Sequence, residues 1–313
     1  MKKKNYKVTI VVPVLNEEEN ILPFLRKFYD FKKKSKHLKD YEILFIDDGS
    51  TDNTLKKIKS LKLKNNKIKI IFFTKNFGVN FAFSAGVDHV KSDFMIFIDA
   101  DSQYPIKVID DFIKKWKLNN KIIFAKRIDY KEKMILRFMG FIFIKVFNKI
   151  SKTKLDFNTS YTCLLDISIV HILKNLREKS KYYPALIRWL GYEISYVNCK
   201  MNKRSIGKSK IGMIQKLKEA SSAITNFTTS PLKILTLVGI GISTIAMFSG
   251  LYILFGALTK GISVPGYPSI FLSILFMGGL QLISIGIVSE YIAKIYDEGK
   301  KRPEYLINEK IGF

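Results

Sequence analysis

FMIFIDADSQYP, Phe94–Pro105, is an apolar run that climbs to Ile98 and then places two acids, Asp99 and Asp101, one residue apart, followed by Gln103 and Pro105. An apolar run without period-two polarity reads as a strand buried on both faces. Such strands belong to parallel sheets covered by helices, and open sheets of this kind bind ligands beyond the carboxyl ends of their strands. The acids stand at such an end. Like charges this close repel unless a cation joins them.

The same pattern repeats along the first 205 residues. VTIVVPVL (8–15) precedes a helical pattern from about Glu17, and YEILFID (41–47) precedes one from about Thr51. KIKIIFFT (67–74) precedes one through 81–90, FMIFID (94–99) precedes one from Pro105, and KIIFAK (121–126) follows. Alternation of buried strands and helices predicts an α/β domain with a mostly parallel sheet. The N-terminal apolar run is too short for a signal peptide and is read as the first strand.

The 313 residues carry 53 Lys+Arg against 27 Asp+Glu, a formal net charge of +26. Such an excess fits nucleic acid, an anionic membrane or phosphorylated ligands; we expect the last two, with no nucleic-acid partner. Cys163 and Cys199 have no paired spacing, and His37, His89 and His171 are scattered. Neither set predicts a disulfide framework or a zinc site.

Two stretches lack charge altogether, 234–259 and 261–289. Each exceeds the roughly 20 residues that a helix needs to cross a bilayer. Their short link holds Gly261, Pro265, Gly266 and Pro268, so we expect a two-helix transmembrane hairpin over 232–292. Gly and Ser recur within both helices, which allows close helix packing and a homo-oligomer. Lysines and an arginine flank the hairpin on both outer sides while its link carries only Lys260. The positive-inside rule then puts the catalytic domain (1–205), the tail (293–313) and both termini in the cytoplasm, in a bacterium at the inner membrane. Residues 206–231 form an amphipathic segment expected at the membrane interface, and 134–150 is a second such candidate.

The chemistry gathers at strand ends. Asp47-Asp48-Gly49-Ser50-Thr51-Asp52 follows the second strand and Asp99-Ala100-Asp101-Ser102-Gln103 the fourth. Mg²⁺ and Mn²⁺ take oxygen ligands, commonly one or two carboxylates plus substrate phosphates. On an extended segment alternate residues share a side, so Asp99, Asp101 and Gln103 are the expected metal ligands. RSIGKSK (204–210) mixes bases with Gly207 and small hydroxyls, which suits a phosphate-gripping loop. Arg127 follows the fifth strand and belongs on the same rim.

VVPVLNEEENI, FIDDGSTDNT, KNFGVNFAFSAGVDH, IDADSQYP and RSIGKSK resemble, in order and spacing, the polyprenyl-phosphate glycosyltransferases. These are inverting GT-A enzymes that include dolichol-phosphate mannose synthases and bactoprenol glucosyltransferases. The resemblance spans about 6–295. It implies a Rossmann-like GT-A domain, then interface helices and the hairpin. It implies transfer of one sugar from a nucleotide sugar, UDP-glucose or GDP-mannose in type, to undecaprenyl or dolichyl phosphate, in the making of a cell-envelope glycan. By the same resemblance Pro13, Glu17, Asp48 and Asp99 line the nucleotide pocket. Asp99, Asp101, Arg127 and Arg204 carry catalysis. Arg137, Arg204, Ser209 and Lys210 meet the acceptor phosphate. Three places depart from the pattern: Leu15 stands where relatives often have Tyr, Tyr104 where they carry an acid or His, and DFNTSYTCLLD (156–166) lacks the Gly and Arg usual between its Ser and its hydrophobic strand. Two other readings are weighed. A processive polysaccharide synthase usually has Gln-x-x-Arg-Trp, but here Ala185 takes the Gln position before Arg188-Trp189. A non-catalytic membrane subunit would have no use for the acids in register with the arginines.

Overall fold

The computed structural model describes residues 5–128, 134–151, 153–156, 158–176, 178, 181–202, 228, 230–260 and 266–313. For Lys64, 134–139, Ser160 and parts of the last two helices only the backbone is described. The described chain forms two compact units. The first holds the residues before 217, apart from 150–152, together with Arg302–Phe313.

The first unit is built on one eight-stranded sheet in the order β7-β5-β6-β4-β1-β2-β3-β8. The strands are β1 (Lys7–Val14), β2 (Asp40–Asp47), β3 (Ile68–Phe73), β4 (Phe94–Phe97), β5 (Ile122–Arg127), β6 (Thr159–Asp166), β7 (Ile194–Cys199) and β8 (Ile307–Ile311). The central four, β4-β1-β2-β3, run parallel. β6 enters antiparallel between β4 and β5, and β7 runs parallel to β5. β8 closes the other edge, antiparallel to β3. This is the mostly parallel sheet that the buried apolar runs predict, and it agrees with the Rossmann-like GT-A domain that the resemblance implies.

Helices α1 (Ile21–Lys34), α2 (Thr54–Lys64), α3 (Val79–His89), α4 (Val108–Lys117), α6 (Ile167–Asn175) and α7 (Tyr183–Trp189) pack with the sheet, while α5 (Met134–Ile150) buries Phe147 and leaves Phe141, Ile142 and Val146 exposed. α4 turns Val108, Ile109, Phe112, Ile113 and Trp116 inward, a stripe one helical face wide. α3 is buried almost throughout, and a Cβ on Gly86 would lie 2.9 Å from a methyl of Val11, so only glycine lets it approach β1 this closely. α1, α2 and α4 begin about a turn later than the sequence pattern suggests. The residues before them are spent in rim turns.

Strand order fixes where a ligand crevice can form. The chain runs outward from β1 through β2 to β3, then returns to the far side of β1 as β4. The sheet order therefore reverses between β1 and β4, which is a topological switch point.

The second unit contains α8 (Ser230–Lys260) and α9 (Tyr267–Gly299). The hydroxyl of Tyr291, late in α9, donates to the carbonyl of Thr228 just before α8, at 2.9 Å. The end of one helix thus lies beside the start of the other. Among the described residues one stretch, Phe276–Gly299, is long and apolar enough to cross a membrane, and Ser230–Ile242 is a shorter apolar stretch. The expected interface segment 206–231 falls largely outside the described residues, as does the link 261–265.

Candidate active site

Three loops follow three adjacent parallel strands. Val14 pairs with Asp47 across β1 and β2, and Val11 pairs with Phe97 across β1 and β4. Residues 13–17, 47–54 and 98–103 therefore share one rim, at the switch point. Pro13 fits near the end of a central strand because β4 has already ended beside Val11, and no ladder partner is lost there.

The first two loops interlock. Asn16 adopts φ 53°, its N–H donates to Ser50 Oγ at 2.9 Å, and its side-chain oxygen accepts from Thr51 N at 2.8 Å. Glu17 N donates to Thr54 Oγ1 at 2.8 Å, and the Glu17 carboxylate accepts from Asn20 Nδ2. Ser50 and Thr54 do the turn chemistry expected of small hydroxyls. They also clamp β1's loop to β2's.

Asp48 is buried, and its two oxygens accept from Phe77 N at 2.7 Å and Gly78 N at 2.8 Å. Burial pushes its pKa up to about 6 against the lowering effect of those two bonds. Its carboxylate thus holds the KNFG loop down on the rim. Gly49 lets that loop in: at φ 74° a Cβ would stand 2.4 Å from the Lys75 carbonyl carbon. Asp47 is fully buried. Its Oδ1 accepts from Ser50 N at 2.8 Å, while its Oδ2 has no hydrogen-bond partner. Burial raises its pKa too.

The acid turn differs from the extended segment expected at 94–99. β4 ends at Phe97, a turn covers Ala100 and Asp101, and Ser102 takes φ 56°. Asp101 Oδ1 accepts from Gln103 N at 3.1 Å, which is what bends the chain. The predicted alternation nevertheless appears in burial. Ala100, Ser102 and Tyr104 are buried, while Asp99, Asp101 and Gln103 are partly exposed. Two carboxylates and an amide oxygen on the accessible side are a donor set that Mg²⁺ or Mn²⁺ accepts once phosphates complete it. No group of three or more His, Cys, Asp or Glu side chains among the described residues could hold a metal without such help.

Arg127 ends β5. Its N–H donates to Asn158 O at 2.9 Å, and the next N–H, of Ile128, donates to Cys199 O at 3.1 Å. Its Nε donates to Tyr104 Oη at 2.8 Å. Beside it Lys126 pairs with Asp156 at 2.9 Å. Arg204, Ser209 and Lys210 lie outside the described residues, and Arg137 lies in α5 with only its backbone described. The chain leading to Arg204 is described as far as Asn202. Asn202 N donates to Gln103 O at 2.9 Å and Asn202 Nδ2 to Ser102 O at 3.1 Å.

Asn202 and Asp156 carry no signal of their own in the sequence. Their roles depend on partners about 100 and 30 residues away. Arg188 does structural work. Its guanidinium donates to Thr159 Oγ1 and the Pro184 carbonyl and lies over the Phe124 ring, 4.6 Å from its centroid.

Residues 9–173 match the family model described as glycosyl transferase family 2. The chain is 38% identical over 308 residues to a bactoprenol glucosyl transferase of Shigella phage SfV, covering 97% of this chain and 99% of that one. It is 36% identical to a prophage bactoprenol glucosyl transferase homolog of Escherichia coli K12, covering 96% of this chain and 98% of the relative. It is 33% identical to a glycosyltransferase of Synechocystis, covering 97% and 96% respectively.

Proposed function

The chain belongs to glycosyl transferase family 2, and we propose that it moves one hexose from a nucleotide-diphosphate sugar to polyprenyl phosphate at a membrane surface. The observation that carries this reading is the shared rim. Residues 13–17, 47–54 and 98–103 meet at the switch point of a parallel sheet, with Arg127 beside them. The acceptor class comes from the relatives named bactoprenol glucosyl transferase, which match over nearly their whole length.

In this reading Pro13, Glu17 and Asp99 face the nucleotide, and Asp48 shapes the pocket through the loop it holds. Asp99, Asp101 and Gln103 would hold Mg²⁺ or Mn²⁺, which supplies charge to offset the donor diphosphate. Arg127 and Arg204 add fixed positive charge where the leaving diphosphate gains negative charge. The acceptor phosphate, with a second pKa of about 6, is already an anion at neutral pH, so its oxygen attacks without a general base. A new bond joins that oxygen to the anomeric carbon as the bond to the diphosphate breaks on the opposite face. The configuration inverts, and nucleoside diphosphate leaves. Arg137, Arg204, Ser209 and Lys210 are assigned to the acceptor phosphate.

We place α8 and α9 in the membrane as a hairpin. Ile240, Leu237, Phe255, Leu282 and Ile295, among other large apolar side chains of these helices, are exposed, which water does not favour over such a length. Thr236, Thr244, Thr259 and Ser284 each donate to the carbonyl four residues back, so these hydroxyls need no water. The return of the chain supports an even number of crossings. β8 follows the hairpin yet pairs with β3 in the same sheet as β1. A soluble sheet occupies one side of a bilayer, so the chain entering the membrane must come back. The lysine-rich flanks put that side in the cytoplasm.

The test is a donor panel. Membranes containing the protein are incubated with polyprenyl phosphate, Mg²⁺ or Mn²⁺ and each of several UDP- and GDP-sugars, and the lipid is read by mass spectrometry. One donor should give a polyprenyl-phosphate hexose, and Asp101→Ala should lower that product by at least roughly 100-fold. A panel without glycolipid, or an unchanged Asp101→Ala, would sink the reading.

A further inference from the structure

Resting on the transferase reading above, we infer that Tyr104 is a positioning residue whose hydroxyl sets the guanidinium of Arg127 for the donor diphosphate. Arg127 is fixed in its backbone from two sides. Its own N–H is bonded to Asn158 of the β6 approach, and the following N–H is bonded to Cys199 at the end of β7. That leaves a long side chain with several rotatable bonds to be held in one place. Tyr104 Oη accepts from Nε at 2.8 Å, and the Tyr104 ring lies beneath the guanidinium, 5.6 Å from its centroid to Cζ. The bond uses Nε. The two terminal nitrogens form the planar fork that suits bidentate phosphate contact.

Tyr104 is itself held still. It is 2% exposed and belongs to the main hydrophobic core. The chain on one side is pinned by Asn202, which donates to the carbonyls of Ser102 and Gln103. On the other side Pro105 fixes the backbone. The hydroxyl that Arg127 meets is therefore an immobile acceptor, one residue from Gln103 and three from Asp101. Movement of the acid turn and movement of the arginine are tied through one hydrogen bond.

A buried ring without its hydroxyl would pack equally well. Tyr104→Phe should therefore leave the fold intact and remove the hold of Tyr104 Oη on Nε of Arg127. Orientation of this kind shows in the transition state more than in ground-state binding. The experiment measures donor kcat and KM in membranes for the wild type, Tyr104→Phe, Arg127→Lys and the double variant, with thermal unfolding alongside. The expected result has three parts. Tyr104→Phe loses about 10-fold or more in kcat with donor KM within about twofold. Its unfolding temperature stays with the wild type. The double variant is no worse than Arg127→Lys alone, because the pair acts as one unit. Wild-type kinetics in Tyr104→Phe would overturn the inference while leaving the transferase reading standing. Losses that simply multiply in the double variant would overturn it too. A wild type that forms no glycolipid with any donor removes the transferase reading and this inference together.

Discussion

Asp48 shows how one residue on the rim can serve the fold and the site at once. Burial raises its pKa to about 6 while Phe77 N and Gly78 N donate to it. The sign of its pH effect follows. The folded pKa stands above the unfolded value of about 3.9. Asp48 therefore favours the fold fully below about pH 4, and loses that contribution as pH rises through about 6. Unfolding free energy of the wild type minus that of Asp48→Asn should fall across this window and stay flat above about pH 7. A flat difference from pH 4 to 8 would reject the burial account. Gly49 makes a sharper case. A Cβ there meets Lys75 and Asn76 backbone at under 3 Å, at a positive φ. Gly49→Ala should cost about 1–3 kcal/mol from backbone strain alone, read by denaturant unfolding, and should weaken donor binding as the KNFG loop lifts.

At the scale of elements, the final strand has most to do. Thr74 N donates to Leu306 O at 3.0 Å, and Tyr305 stacks on Phe73 with centroids 4.9 Å apart. Tyr305 Oη donates to Asp88, while Glu304 pairs with Lys181 at 2.7 Å and accepts from Ser84 at 2.8 Å. Lys59 pairs with Glu309. Phe77, on the loop that Asp48 holds, packs edge-on against Phe73. β8 thus covers the β3 edge and buttresses the rim loop from behind. A chain stopped after Lys301 would expose that edge, a template for aggregation. Its unfolding temperature should drop by more than about 4 °C, and its donor KM should rise. Unchanged melting would show that β8 is dispensable.

At the scale of the molecule, one sheet receives strands from before and after the apolar helix pair. If both helices cross the membrane, reporters fused at the N- and C-termini must score on the same, cytoplasmic side. Opposite sides would leave a single crossing and contradict the β8 pairing. Much of this protein is legible in its sequence because the signals are local. Apolar runs of strand length, acids at their ends, Gly49 in a turn and two charge-free stretches each report the environment of their own neighbourhood. From these follow the parallel sheet, the rim acids and the apolar helices. Tertiary structure alone decided the rest, because it concerns partners distant in sequence. It bent Asp99–Gln103 into a turn through Asp101 and Ser102. It gave Asp48 to the KNFG loop, tied Tyr104 to Arg127, and stitched Asn202 to the acid turn. It also brought residues 307–311 back to β3, more than 200 residues away in sequence. A hydrogen bond across such a distance leaves no periodicity in the chain, since either partner alone looks like an ordinary polar residue.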